Sequence, residues 1–266
     1  MINRRTALAS FASLAIATSV TAPAYAAPSA SLIDNHWAQF GGTPSVDHSA
    51  WNGFLASYVA PGSDGVNRVN YRAAKGAQGT LKSYIASLEA TDPTTLTRDA
   101  AMAYWINLYN AKTVDVILDN YPVQSIRDIG GGIFSRGPWD DKVSTVNGRA
   151  LSLNDIEHGI LRPIWRDARI HYAVNCASIG CPNLRTTAFT AASLNSDLDQ
   201  AAREYITHPR GAQVTANGLV VSSIFEWYKS DFGGNDAGVI AHLAQYGGPT
   251  GASRIYDDRY DWALNE

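Results

Sequence analysis

The pattern of apolar residues predicts an α+β fold in a single domain. It has a central apolar helix, several surrounding helices and a mainly antiparallel sheet containing two Asn-Gly hairpins. Residues 97–118 are apolar on nearly every side of a helical wheel (Trp105, Ile106, Leu108, Val114, Ile117), as in a helix enclosed by the core. Asn147-Gly148 and Asn217-Gly218 each separate two extended arms, and Asn-Gly supplies the positive φ angles of a type I′ turn. Helices do not alternate strictly with strands, which argues against a doubly wound parallel sheet.

Residues 1–26 read as an export signal. Arg4 and Arg5 precede a short apolar stretch from Ala7 to Val20, and Ala24-Tyr25-Ala26 fits small-x-small cleavage. The mature chain is expected to begin at Ala27, in the periplasm or outside the cell. Both the general secretory and the twin-arginine routes stay open. The stretch falls short of the roughly 18 residues of a membrane span, and no later segment reaches that length. Residues 27–60 read as a tether that partly docks through Trp37 and Phe40, and residues 61–266 as one globular domain without repeats.

Along that domain, residues 61–65 form a turn cluster and 66–71 a short strand. Residues 78–89 read as a helix with Leu81, Ile85 and Leu88 on one face, and Thr97 as the N-cap of the long helix. The hairpins cover 143–151 and 214–221. Asn154 is expected to cap the next helix, with Glu157 reaching back. Residues 169–176 read as a strand that ends in the tight loop Gly180-Cys181-Pro182. Helices follow at 193–207, 223–231 (capped by Ser223 and Glu226) and 237–245. Tyr256, Tyr260 and Trp262 alternate with polar residues, as in a half-buried strand.

The chain is 45% hydrophobic and 17% charged, which excludes a disordered polymer, and its net charge of −3 gives no basic face for nucleic acid. Two cysteines are too few for a disulfide scaffold. Cys176 and Cys181 leave three readings: a disulfide, a zinc site with His158 and His171, or a cysteine nucleophile activated by a histidine. In a regular strand His171, five residues before Cys176, points to the opposite face, so His158 is the candidate base. Glu157 lies about 100° around the helix from His158 and is expected to serve the cap instead. Asn107, Asn110 or Asp155 would orient His158 or bind an oxyanion; alternatively, the two buried amides tie down a neighbouring loop. Gly130-Gly131-Gly132 lacks phosphate-loop spacing and is expected to let Trp139 dock, and Asp140-Asp141 is expected to be solvated. No pattern calls for a cofactor.

Residues 104–111 (YWINLYNA), 151–162 (LSLNDIEHGILR), 169–182 (RIHYAVNCASIGCP) and 260–265 (YDWALN) resemble, in order, the domain of unknown function 547 family in its bacterial secreted form. The resemblance spans about residues 66–265 and implies Asn107, Asn110, Glu157, His158 and Cys176 as shared positions. It is looser at His171 and Cys181, which lowers the disulfide and zinc readings, and it implies neither substrate nor reaction. Two functions are carried forward. One is a thiol-dependent hydrolase or acyl/peptidyl transferase of the cell envelope, acting on a small molecule, peptide or envelope substrate through Cys176 and His158. The other is a non-catalytic envelope module that binds a partner through its 7 Trp, 13 Tyr and 7 Phe, with the Asn/His/Cys set as a buried polar network.

Overall fold

The computed structural model describes residues 28–130, 137–251 and 253–266. The export signal, its cleavage site and Gly131-Gly132 lie outside the described residues.

The long helix Arg98–Asn120 runs through the core, buried from Ala100 to Leu118 except at Lys112. The Thr97 side chain accepts the Ala100 N–H, and Asp99 sits in the positive first turn. The helix Gln78–Glu89 packs along it through Leu81, Tyr84, Ile85 and Leu88, and the Tyr104 hydroxyl donates to the Leu88 carbonyl at 2.9 Å. The helix Ser49–Tyr58 covers the other side of that pair, with Trp51 stacked on Tyr84.

The α+β class holds, and the strands divide into three small sheets, so the two Asn-Gly hairpins do not share one. Strands β1 (Val59–Pro61) and β2 (Asn67–Val69) pair antiparallel, as do β3 (Ser144–Val146) and β4 (Arg149–Leu151). Strands β5 (Ala212–Thr215) and β6 (Gly218–Ser222) form the second hairpin, and β7 (Ile255–Arg259) joins β6 in parallel. At the first turn both Asn147 (φ 47°) and Gly148 (φ 71°) are left-handed, as type I′ requires. At the second, Thr215 pairs with Gly218, so Ala216 and Asn217 make the turn. The positive φ falls on Gly218 (136°), where a Cβ would meet the Tyr256 Cβ at 3.2 Å.

Four local expectations fail. The expected strand at 169–176 is a short helix, Ile170–Ala173, followed by extended Val174. Asp167 starts the turn, its carboxylate accepting the Arg169 N–H and its carbonyl the Ile170 N–H. The expected cap at Asn154 and Glu157 is instead a capping box between Ser152 and Asp155, which leaves Glu157 free for other contacts. The helix expected at 223–231 is a short helix, Ser223–Trp227, and then a 3-10 turn, Lys229–Phe232, and its cap is Ser222. Likewise β7 ends at Arg259, so Tyr260 and Trp262 lie beyond the strand.

Two apolar clusters result. The larger surrounds the central helix, and the smaller gathers Tyr172, Tyr205, Phe225, Phe232, Val239 and Leu243. A cavity opens where they meet, lined by Tyr109 and Val174 of the first and Ile224 of the second.

Candidate functional site

One wall of the cavity starts from a register slip in a helix. Glu157–Leu161 is a π turn, in which the Arg162 N–H reaches back to the Glu157 carbonyl. The slip leaves the His158 carbonyl without its usual helical partner. Gly159 loses its partner as well, because residue 163 is a proline with no N–H. The N-terminal segment supplies both bonds: Ser31 N–H donates to the His158 carbonyl at 3.0 Å and Ile33 N–H to that of Gly159 at 3.1 Å. Trp37 anchors this segment, buried edge-on to Trp105. Phe40 is only partly buried, under the Arg98 guanidinium.

The π turn presents Glu157 and His158 to the cavity. It also puts Arg162 one turn after His158. Arg162 donates to His158 Nδ1 at 3.0 Å, to the Pro28 carbonyl at 2.8 Å and, through Nε, to Asp231 at 2.7 Å. A guanidinium has no lone pair to offer, so His158 Nδ1 is the acceptor and Nε2 carries the proton. Burial pushes the His158 pKa down, against the pull of Glu157, and keeps the ring neutral. As held, His158 is a hydrogen-bond donor and not a base.

His171 also faces this cavity, contrary to the strand-parity expectation, because the short helix replaces alternation with a turn. It donates from Nε2 to Asp231 at 2.9 Å and stacks on Tyr228 at 4.3 Å. Burial opposes ionisation of Asp231, but the hydrogen bonds from His171 and Arg162 outweigh it and hold the carboxyl well below the usual range. Burial also opposes ionisation of Glu157, yet the neighbouring His158, His171 and Arg162 hold its carboxyl down at about 2.

Both thiols line the same cavity. They are free, with Cys181 buried and Cys176 partly exposed. The Cys176 N–H donates to Cys181 Sγ at 2.9 Å. Cys176 Sγ lies 3.1 Å from both the Ser178 and Tyr260 hydroxyls. Burial and the Cys181 sulfur push the Cys176 thiol up. Burial acts the same way on Cys181, but the Cys176 thiol, the Tyr260 hydroxyl and the Cys176 N–H outweigh it and pull this thiol down. Tyr260 reaches the thiols because residues 178–180 are laced to 261–264: Ile179 N–H donates to the Ala263 carbonyl and Gly180 N–H to that of Asp261, each at 2.8 Å. A Cβ on Gly180 would stand 2.8 Å from the Asp261 nitrogen, so glycine is required for that approach.

Among the described residues Asn107, Asn110 and Asp155 make no hydrogen bond to His158. Asn107 pairs with both backbone groups of Phe189. Asn110 donates to the Ala173 carbonyl and accepts the Asn175 N–H, both at 2.8 Å, taking the place of a strand partner for the segment that leads into Cys176. Asp155 is held by Ser152 and Lys142. Among the described residues no group of three or more His, Cys, Asp and Glu side chains is placed to hold a metal ion, and no helix is long and apolar enough to cross a membrane.

Sequence reasoning missed Arg162, Ser178, Asp231 and Tyr260. Arg162 was findable, since it follows His158 at helical i,i+4 spacing; the other three depend on long-range or loop geometry.

The family comparison bears on this geometry. Residues 93–206 match the family described as Protein of unknown function, DUF547. The DUF547 match takes in the central helix, the π turn, His171 and both cysteines. Tyr228 and Tyr260, which line the cavity, and Asp231, which bonds to His171 and Arg162, lie beyond it. No curated protein and no solved structure matches the chain.

Proposed function

We propose that this chain is a bacterial secreted DUF547 protein and a thiol-dependent hydrolase or acyl/peptidyl transferase, exported to the cell envelope. The observation that carries the reading is one cavity holding Cys176, Cys181, His158, His171 and Glu157 together. Cys176 is the nucleophile, being the sulfur with exposure. Cys181, the more acidic thiol, takes the Cys176 proton as thiolate and returns it to the leaving amine or alcohol. The acyl group rests on Cys176 until water or an acceptor amine removes it. His158, with Nε2 protonated, donates to the oxyanion that forms at the attacked carbonyl. Asn110 positions the Cys176 segment and Asn107 the Phe189 loop, both from outside the reacting atoms.

Steady-state turnover of a panel of small esters and peptides tests the reading. Wild-type protein is expected to turn over at least one of them, and Cys176→Ser to lose that rate while keeping its melting temperature.

A non-catalytic module is the second reading, favoured by one observation. Among the described residues no histidine nitrogen bonds to Cys176 Sγ, whose neighbours are the Ser178 and Tyr260 hydroxyls. In that case Cys176→Ser costs stability and removes no reaction.

A further inference from the structure

Glu157 stands out among the buried acids. The residue is 7% exposed, it lines the cavity, and its carboxylate has no hydrogen bond among the described residues. The nearest basic side-chain nitrogens among the described residues are His171 Nδ1 at 3.6 Å, whose attraction helps to keep the carboxylate ionised, and His158 Nδ1 at 3.9 Å, both longer than an ordinary hydrogen bond. Buried carboxylates are normally satisfied, because an ionised group without donors is costly in a low dielectric. The nearby cation does not fill the gap. Among the described residues Arg162 spends its hydrogen bonds on Asp231, the Pro28 carbonyl and His158. His158 is neutral, and the Nε2 proton of His171 is spent on Asp231. Among the described residues, then, no donor fills the acceptor sites that this carboxylate turns to the cavity.

The rest of the cavity fits a cation. Tyr109, Trp139 and Trp227 line it with aromatic rings, and aromatic faces attract positive charge, most strongly where water is excluded, whereas the Tyr228 ring in the same wall already has His171 stacked on it at 4.3 Å and the Arg162 guanidinium over it at 4.7 Å. The enclosed volume is about 50 Å³, room for an aminomethyl-sized head and not for a ring. Cys176 lines the same space, so a ligand whose ammonium meets Glu157 brings its neighbouring atoms to the thiol.

We propose that this cavity is an ammonium-binding site, in which Glu157 accepts hydrogen bonds from a primary amine of the ligand against the aromatic walls. Resting on the thiol-dependent reading above, this makes the substrate class an acyl compound with a free amino group near the attacked carbonyl, such as the amino end of a peptide. Glu157 is then a specificity residue: it binds the charged end of the substrate and takes no part in proton transfer.

The probes are alaninamide and N-acetylalaninamide, which differ by one positive charge. Reversible binding to the wild-type protein is followed by tryptophan fluorescence, since Trp139 and Trp227 line the cavity. Alaninamide is expected to saturate the signal and N-acetylalaninamide to bind roughly tenfold more weakly or worse. Glu157→Gln, checked for folding by circular dichroism, is expected to lose that preference. Equal binding of both probes, no binding of either, or an unchanged preference in a folded Glu157→Gln protein overturns the proposal. The wild-type comparison stands even where the variant fails to fold. Binding needs no reaction, so loss of amine selectivity with turnover intact contradicts this inference alone. Amine selectivity without turnover contradicts only the reading it rests on.

Discussion

Arg162 donates to His158 Nδ1 at 3.0 Å, and that contact decides which ring nitrogen carries the proton. It makes His158 a neutral donor in a cavity where a base was expected, and it leaves the thiol pair to manage its own proton.

Arg162→Met tests this contact. Removing the guanidinium frees His158 Nδ1 and removes a neighbouring positive charge, so the His158 pKa should rise in an NMR titration. The same change strips Asp231 of its Nε bond within a buried ion pair. A loss of about 3 kcal/mol in urea unfolding is expected, towards the low end for such pairs because Asp231 is partly exposed.

Acid stability follows from two kinds of buried group. Burial lowers the His48 pKa from 6.5 to about 4, so below pH 6.5 the unfolded chain takes a proton that the folded chain refuses. Stability should start to fall there and keep falling to about pH 4; burial pushes His158 and His242 down as well, so His48→Gln should reduce that part of the slope without removing it. Glu157 is depressed from 4.5 to about 2, so its contribution is complete above pH 4.5 and is lost as pH falls towards 2. Glu157 accounts for on the order of 3 kcal/mol of that lower window at most, and Glu157→Gln should remove its share of the slope while Asp231 and Asp115 keep theirs. Urea midpoints at intervals from pH 7 to 2.5 separate the two windows.

Asn107→Ala and Asn110→Ala should differ in kind. Each strands two buried backbone groups and should cost about 2–4 kcal/mol in thermal or urea unfolding. Asn110 also holds the segment entering Cys176, so its variant should change the rate of Cys176 alkylation by iodoacetamide, whereas Asn107→Ala should leave that rate near wild type.

Tyr260→Phe removes a hydroxyl 3.1 Å from Cys176 Sγ that also lowers the Cys181 pKa. The Cys181 thiolate should become harder to form, and the first thiolate absorbance step in a pH titration should move up. A step that stays in place would mean that the hydroxyl does not stabilise the thiolate.

The central helix, the helix Gln78–Glu89 and both hairpins were legible because their signals are local: apolar spacing, a Thr97 cap, Asn-Gly turns. Glu157, His158, Cys176 and Cys181 were legible as candidates and do share the cavity. Their relations were not. Strand alternation turns His171 away from Cys176, but Asp167 makes that stretch a helix and Asn110 takes the bonds a strand partner would have made. Local spacing points Glu157 at a cap that Ser152 and Asp155 make instead. Asp231 and Tyr260 reach the site from the smaller apolar cluster and the C-terminal segment, and no spacing within the chain encodes that approach.

The most direct measurement is peptide mapping of the protein after brief exposure to p-nitrophenyl acetate, followed by acid quench. An acetyl group on Cys176, absent in Cys176→Ser and formed more slowly in Cys181→Ser, is the predicted result. Acetylation confined to lysines and tyrosines, with Cys176 untouched, would contradict the thiol-dependent account.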